Sequence, residues 1–267
     1  MNIITIDKLN FKYKNKIIFE NLNLKIKEKS ITTIIGKNGC GKSTLIKLLV
    51  GLYPNNDSIM YKDKVLNKSN LREIMKKVGV VFEIPDNQFI GQTVMEDLVF
   101  ILENMGYEKD NIEKRLNDIV EMFDLSSILN ESPNNLSNNQ KQMVSLAAAL
   151  IHEPELLILD ESLTYVDPYV KDKIFDILIK LNKKGLTIIY VTQDIEDTLI
   201  ADRIILLNDK KVILSKNKES FYKEEKKLNN LGYKLPFMVE LSNRLKFYNL
   251  IDETIYDMKK MVDTLWK

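Results

Sequence analysis

Gly36-Lys37-Asn38-Gly39-Cys40-Gly41-Lys42-Ser43 matches the pattern G-x-x-x-x-G-K-[ST] in full, and its flanks are those such a loop needs. The β-branched run Ile31-Thr32-Thr33-Ile34-Ile35 predicts a buried strand leading in. Leu45-Ile46-Lys47-Leu48-Leu49 predicts a helix leading out. Glycines between them let backbone N–H groups turn inward and cradle phosphate oxygens at the positive end of that helix. Lys42 can then reach the β- and γ-phosphates of a nucleotide, and the Ser43 hydroxyl can ligate Mg²⁺. Residues 36 to 43, with Thr44 next in the helix, are the expected phosphate-binding set.

At 267 residues the chain suits one large α/β domain with a small appendage. Its hydrophobic content of 45% suffices for a core, and 29% charged residues is ordinary for a soluble protein. A net charge of +1, with lysine and asparagine spread throughout, argues against nucleic acid as a partner. No uninterrupted apolar run approaches ~18 residues, so no membrane-spanning helix is expected. The start, Met1 to Asp7, lacks the charged and long apolar regions of a signal peptide. A single cysteine cannot form an internal disulfide, and residence in the cytosol is the expectation.

Outward from the loop, two kinds of patterning appear. Ile4, Ile6, Leu9, Phe11 and Tyr13, then Leu22, Leu24 and Ile26, alternate as in an antiparallel β layer, to which Ile59-Met60-Tyr61 adds a short strand. Val78 to Phe82, Leu156 to Leu159 and Thr187 to Val191 are short apolar strands. A helix over about 170–181 lies between the last two, the rhythm of a parallel sheet. Ile204 to Leu207 and Lys211 to Leu214 form a hairpin about Asn208-Asp209-Lys210. Residues 92–151 read as a helical subdomain, with Asp110 as the expected cap of a helix through Ile112, Leu116, Ile119, Val120 and Phe123. The domain proper is read as 1–218.

The remainder, 219–267, reads as a C-terminal helical extension. Lys223 to Lys227 is a charged connector. Pro236 opens a helix with Phe237, Met238, Leu241, Leu245 and Tyr248 on one side, and a last helix carries Ile251, Ile255, Met258, Val262 and Leu265. Amphipathicity alone fits both packing onto the chain's own domain and a partner surface.

The strand Leu156 to Leu159 ends in Asp160-Glu161. Downstream of a phosphate loop, such a pair supplies a carboxylate that holds Mg²⁺ through water and a second that polarises an attacking water. With these elements the chain resembles the P-loop ATPases of the ATP-binding cassette (ABC) type. Leu136-Ser137-Asn138-Asn139-Gln140-Lys141-Gln142 is similar to that family's LSGGQ signature, and Thr164 to Pro168 to its D-loop. Gln193 falls where the family has its switch histidine, and Tyr13 where an aromatic ring stacks on adenine.

A narrower resemblance is to the ATPases of energy-coupling-factor (ECF) transporters, which drive vitamin and transition-metal uptake. It is carried by Val78 to Gly91, an extended Q-loop, by Glu96-Asp97 and Glu103-Asn104-Met105-Gly106, and by Leu235-Pro236-Phe237 and the ending Leu265-Trp266-Lys267. It favours the partner-surface reading of the extension.

The resemblance implies a fold, a site and partners. The fold is α/β, a mainly parallel sheet with an antiparallel layer. The implied site stacks adenine on Tyr13 and holds phosphates on residues 36–44. Mg²⁺ falls to Ser43, Glu83 and Asp160, and catalysis to Lys42, Glu161 and Gln193. Residues Ser137, Asn138, Asn139 and Gln140 would face the nucleotide of a second subunit. Implied partners are a paralogous ATPase subunit, a transmembrane coupling subunit and a substrate-binding membrane subunit, with the chain peripheral on the cytoplasmic face.

Four residues depart from the family pattern. Glu83 replaces a metal-binding glutamine but remains a hard oxygen ligand. Gln193 can donate a hydrogen bond but cannot carry a proton or a charge. Asn138 and Asn139 occupy space that two glycines leave free. Met143 stands where an arginine is usual. Turnover is therefore expected to be slow. A nearly inactive half-site supporting an active paralogue is one alternative, a soluble non-transport ABC ATPase another. His152 is expected at the surface or in a structural hydrogen bond, Cys40 as a small filler of the loop, and Trp266 as a packing anchor.

Overall fold

Two sheets organise the chain, and they differ in burial as their connectivity requires. The computed structural model describes residues 1–266, apart from the side chain of Asn87; Lys267, the last residue of the C-terminal resemblance, lies outside the described residues. In chain order the elements begin β1 (Asn2–Tyr13), β2 (Lys16–Lys27), β3 (Ile31–Ile35), α1 (Lys42–Leu49), β4 (Ile59–Tyr61), β5 (Lys64–Val65), α2 (Leu71–Met75) and β6 (Val78–Val81). The helices α3 (Val94–Met105), α4 (Lys109–Phe123) and α5 (Asn138–Leu150) follow. Then come β7 (Leu156–Asp160), α6 (Pro168–Lys183), β8 (Thr187–Thr192), β9 (Arg203–Asn208) and β10 (Lys211–Asn217). The chain ends in α7 (Lys218–Tyr222), α8 (Glu225–Asn230), α9 (Phe237–Phe247) and α10 (Met258–Leu265).

The larger sheet runs β10-β9-β3-β8-β7-β6, parallel except for the β9–β10 hairpin. Every residue of β3, β7 and β8 is buried, because both faces of a parallel sheet are covered. The smaller sheet, β2-β1-β4-β5, is antiparallel, and β1 and β2 expose much of one face. This is the expected α/β architecture. One apolar cluster packs the antiparallel layer against α1 and the parallel sheet, and a second packs the helical region α3 to α5 together with α6 on that sheet. At the hairpin, Asp209 and Lys210 both take positive φ, which suits the twist of a tight two-residue turn.

Local chemistry sets the helix ends. Thr93 and Glu96 form a reciprocal capping box that opens α3. For α4 the expectation needs correction: Glu108, not Asp110, is the N-cap residue, without a side-chain bond, and Asp110 lies inside the first turn. There its charge favours the positive helix end instead of capping it.

The extension departs further from its pattern. Phe221, Tyr222, Leu228, Tyr233, Leu235 and Val239 share a buried cluster with Ile35, Ile204, Leu206 and Leu214 of the sheet. Complete burial of a side chain such as Phe221 contributes roughly 1.5–3 kcal/mol. The last helix begins only at Met258, so Ile251 and Ile255 belong to the segment before it. Both are buried with Met238 and Met261. The buried Ser242 hydroxyl explains the non-helical segment, since it donates to the Ile255 carbonyl and accepts from the Ile255 N–H. Asp257 then caps α10 by accepting from Lys260. Met261 is the buried residue of α10, while Met258, Val262 and Leu265 are exposed. Trp266 is 78% exposed, so it anchors nothing within its own chain.

Candidate functional site

Three neighbouring parallel strands end on one rim of the sheet. Ile35 of β3 lies opposite Thr192 of β8, and Val191 of β8 opposite Asp160 of β7. The residue after each strand is thereby delivered to the same place: Gly36, Gln193 and Glu161. Crevices at the carboxyl ends of parallel strands are where open α/β sheets bind ligands.

The loop from Gly36 to Ser43 tolerates little else at its glycines. A Cβ on Gly36 would stand 2.5 Å from Cys40 Sγ and 2.6 Å from the Leu207 carbonyl oxygen. Gly41 has φ +109°, a left-handed conformation that side chains oppose. It precedes α1 without a side-chain cap, so the N–H groups of Lys42, Ser43 and Thr44 lack intrahelical acceptors. Lys37, Asn38, Gly39 and Ser43 are exposed around this helix end. The arrangement is an anion cradle. Cys40 is buried as the expected filler, and burial pushes its thiol pKa up against the opposing charge of Lys42.

Lys42 itself is buried and donates from Nζ to the carbonyls of Gly36 (2.6 Å) and Lys37 (3.1 Å). The same Nζ lies 3.1 Å from Glu161 Oε1. Gln193 Nε2 donates to the other carboxylate oxygen of Glu161. The three proposed catalytic side chains therefore form one connected group. Glu161 holds a left-handed φ of +51°, which its backbone bonds fix: its N–H donates to Val191 O at 2.9 Å, and its carbonyl accepts from Thr164 Oγ1 at 2.8 Å.

Asp160 is buried, and its Oδ1 has no hydrogen-bond partner. Burial, with added repulsion from Glu161 and Glu83, raises its pKa to about 6 against the attraction of Lys42 and Lys47. The orphaned oxygen, the nearby Glu83 carboxylate and the exposed Ser43 hydroxyl make a hard-oxygen set that fits Mg²⁺. Among the described residues, no three His, Cys, Asp or Glu side chains cluster closely enough to hold a metal alone. Phosphate oxygens and water would have to complete such a site.

Tyr13 closes β1 with its ring 53% exposed and 6.2 Å from the ring of Tyr53, which stacks on Phe11. An aromatic face is thus available for stacking.

The signature-like residues open α5. Ser137 accepts from the Gln140 N–H, and Gln140 Oε1 accepts from the Ser137 N–H, a capping box that uses both side chains. Asn138 is exposed, whereas Asn139 Oδ1 accepts the Asp167 N–H at 3.0 Å. One turn on, Gln142 Nε2 donates to the Ser162 carbonyl. Met143 packs partly buried against the helical cluster. Lys141 pairs with Asp86 of the Q-loop-like segment at 2.5 Å.

His152 corrects its expectation. It is buried and not at the surface, and desolvation lowers its pKa to about 4 against a weak opposing interaction with the Val78 backbone. It is a neutral core residue.

Nothing in the sequence marks Asp197, four residues beyond Gln193. It is buried, accepts from the hydroxyls of Tyr190 (2.7 Å) and Thr192 (2.8 Å), and pairs with Lys171 of α6. Thr192 Oγ1 in turn accepts the Asp194 N–H at 3.1 Å, so bonded residues flank Gln193 on both sides. A polar residue beyond an apolar strand gives no signal of burial by pattern alone.

The family model described as ABC transporter matches residues 19–164. The energy-coupling factor transporter ATP-binding protein EcfA1 of Ligilactobacillus salivarius is 36% identical over 99% of this chain and 95% of its own. The corresponding EcfA of Pediococcus pentosaceus is 34% identical, over 91% of this chain and 89% of its own. Among solved structures, CbiO1 from Clostridium perfringens, part of the ABC transporter complex cbiONQ, superposes with a TM-score of 0.77 at 31% identity. The match covers 85% of this chain and 94% of that one.

Proposed function

The chain belongs to the ABC transporter family, as an ATP-binding subunit of the energy-coupling-factor type, and from that premise we propose how it works. It is an ATPase that energises an ECF-type importer. The proposal adds Mg²⁺, the residue roles and the working assembly. The carrying observation is the connected group Lys42–Glu161–Gln193 on the rim that also holds the anion cradle.

In this reading Tyr13 stacks on adenine, and the backbone from Gly36 to Thr44 binds the phosphates. Lys42 leaves its present acceptors for the β- and γ-phosphate oxygens. Ser43, Glu83 and Asp160 would hold Mg²⁺, which supplies charge neutralisation between the phosphates. Glu161, freed from Lys42, accepts a hydrogen bond from the attacking water and orients it in line with the γ-phosphorus. Gln193 already donates to Glu161, and from the same position its amide can donate to a γ-phosphate oxygen.

The missing histidine charge bears on rate. Gln193 keeps a hydrogen-bond donor but has no proton or positive charge to place against the transferred phosphoryl group, which is why slow turnover is proposed. Ser137, Asn138, Asn139 and Gln140 face the nucleotide of a second ATPase subunit in this reading, and a paralogue is the proposed occupant. No helix among the described residues is long and apolar enough to cross a membrane. A peripheral place on the cytoplasmic face, through a transmembrane coupling subunit and a solute-binding membrane subunit, is therefore part of the proposal. The solute class proposed is a vitamin or transition-metal ion. Co-expression with the candidate membrane subunits and paralogue, followed by ATP-dependent uptake in proteoliposomes, tests it. Uptake lost with Glu161→Gln is expected; uptake unchanged by that variant would overturn the assigned roles.

A further inference from the structure

The signature-like helix carries a feature that its family pattern lacks. Asn139 and Gln142 sit three residues apart on α5, hence on one face. The two amides bond to opposite ends of one loop: Gln142 Nε2 donates to the Ser162 carbonyl at its start, and Asn139 Oδ1 accepts the Asp167 N–H at its end. Between them the loop is tied to Glu161, because Thr164 Oγ1 donates to the Glu161 carbonyl at 2.8 Å. Beyond it, Asp167 caps α6 by accepting the Tyr169 N–H at 2.9 Å. Glycine at position 139 could not form the second anchor, since it has no side-chain acceptor.

We propose that Asn139 is a positioning residue that fastens the 162–167 loop to the start of α5, so that loop and helix move as one body and Glu161 is held from behind. Its amide oxygen is thereby engaged within its own chain, which leaves the Asn139 backbone to face the nucleotide of the second subunit. The consequence for turnover rests on the proposed function; the contact does not. Restoring the glycine of the family pattern at this position should then loosen the loop and fail to raise the rate, opposite to what motif repair would give.

The test uses the full chain, followed by amide exchange in NMR, and the assembled complex, followed by ATPase rates. Asn139→Gly should speed exchange of the Asp167 N–H by about fivefold or more, the factor that one net hydrogen bond sustains. Asn138→Gly should leave it unchanged, and Asn139→Asp, which keeps an acceptor, should keep the protection. In the complex, Asn139→Gly should lower kcat with little change in KM. Unchanged Asp167 exchange in Asn139→Gly would overturn the contact whatever the function of the complex. Faster exchange with a raised kcat would overturn the positioning role alone. Should Asn139→Gly fold poorly, Asn139→Ala gives the same exchange readout.

Discussion

Lys42 Nζ lies 3.1 Å from Glu161 Oε1, so the lysine proposed to bind phosphate and the carboxylate proposed to polarise water neutralise each other across the rim. Both side chains are nearly buried, and burial makes loss of one partner costly to the other. In the proposed mechanism phosphate binding breaks this pair, which would release the carboxylate only when its target is present. Lys42→Ala is expected to raise the Kd for a fluorescent ATP analogue by about 30-fold or more, from loss of charged hydrogen bonds. Equal affinity in the two proteins would remove Lys42 from the site.

Gln193→His should raise kcat in any assembly that hydrolyses ATP, by about tenfold, because a chargeable donor returns to the γ-phosphate. Saturating ATP separates this from an affinity effect. An unchanged or lower kcat would show that the amide is adapted to its bond with Glu161.

Asp160 gives a pH signature. A carboxyl whose pKa is raised to about 6 from 3.8 binds its proton more tightly in the folded chain than in the unfolded one. Stability should therefore fall as pH rises through the window from about 4 to 6. At neutral pH the ionised group costs on the order of 3 kcal/mol. Asp160→Asn should raise the nucleotide-free Tm at pH 7.5 and change it little at pH 4, while weakening Mg²⁺-dependent nucleotide binding. Equal Tm changes at both pH values would contradict this assignment of strain.

The rim was legible in the sequence because its chemistry is local. The loop 36–43 and Asp160-Glu161 each stand on a strand whose apolar run declares itself, and strand order alone brings them together. What stayed hidden depends on contacts across the fold. Asp197 is buried by Lys171 and Tyr190, from a helix and a strand that no periodicity relates to it. Asn139 reads as a damaged glycine until Asp167 is seen beside it. In the extension, heptad-like spacing ran through Ile251 and Ile255, but Ser242 satisfies the Ile255 backbone and the helix starts at Met258. Apolar spacing there reported burial correctly and helicity wrongly.

Gly36→Ala should destabilise the fold by about 1–3 kcal/mol through overpacking. The double variant with Cys40→Ala relieves only one of the two clashes, because the Leu207 carbonyl at 2.6 Å remains. Urea titration of both variants checks this: full recovery in the double variant would place the whole conflict on the thiol.

The last prediction concerns the second subunit. In a homodimer, each site would combine this chain's Glu83 and Gln193 with the Asn138-Asn139 signature, so every departure would occur twice. Paired with a paralogue that keeps Ser-Gly-Gly, the Lys42, Asp160 and Glu161 of this chain would meet an intact signature, and only the opposite site would meet Asn138 and Asn139. The exposed faces of the extension, Met258, Val262 and Leu265 with Trp266 beside them, offer apolar area for such a contact. The half-buried Leu241 is already packed against its own cluster and contributes less than its spacing suggested. We expect the mixture to hydrolyse ATP at least about tenfold faster than this chain alone, because one of its two sites then combines this chain's Lys42, Asp160 and Glu161 with an intact signature. Light scattering should show the mixed dimer with ATP, and Val262→Glu should weaken it. A homodimer that turns over as fast as the mixture would overturn the pairing.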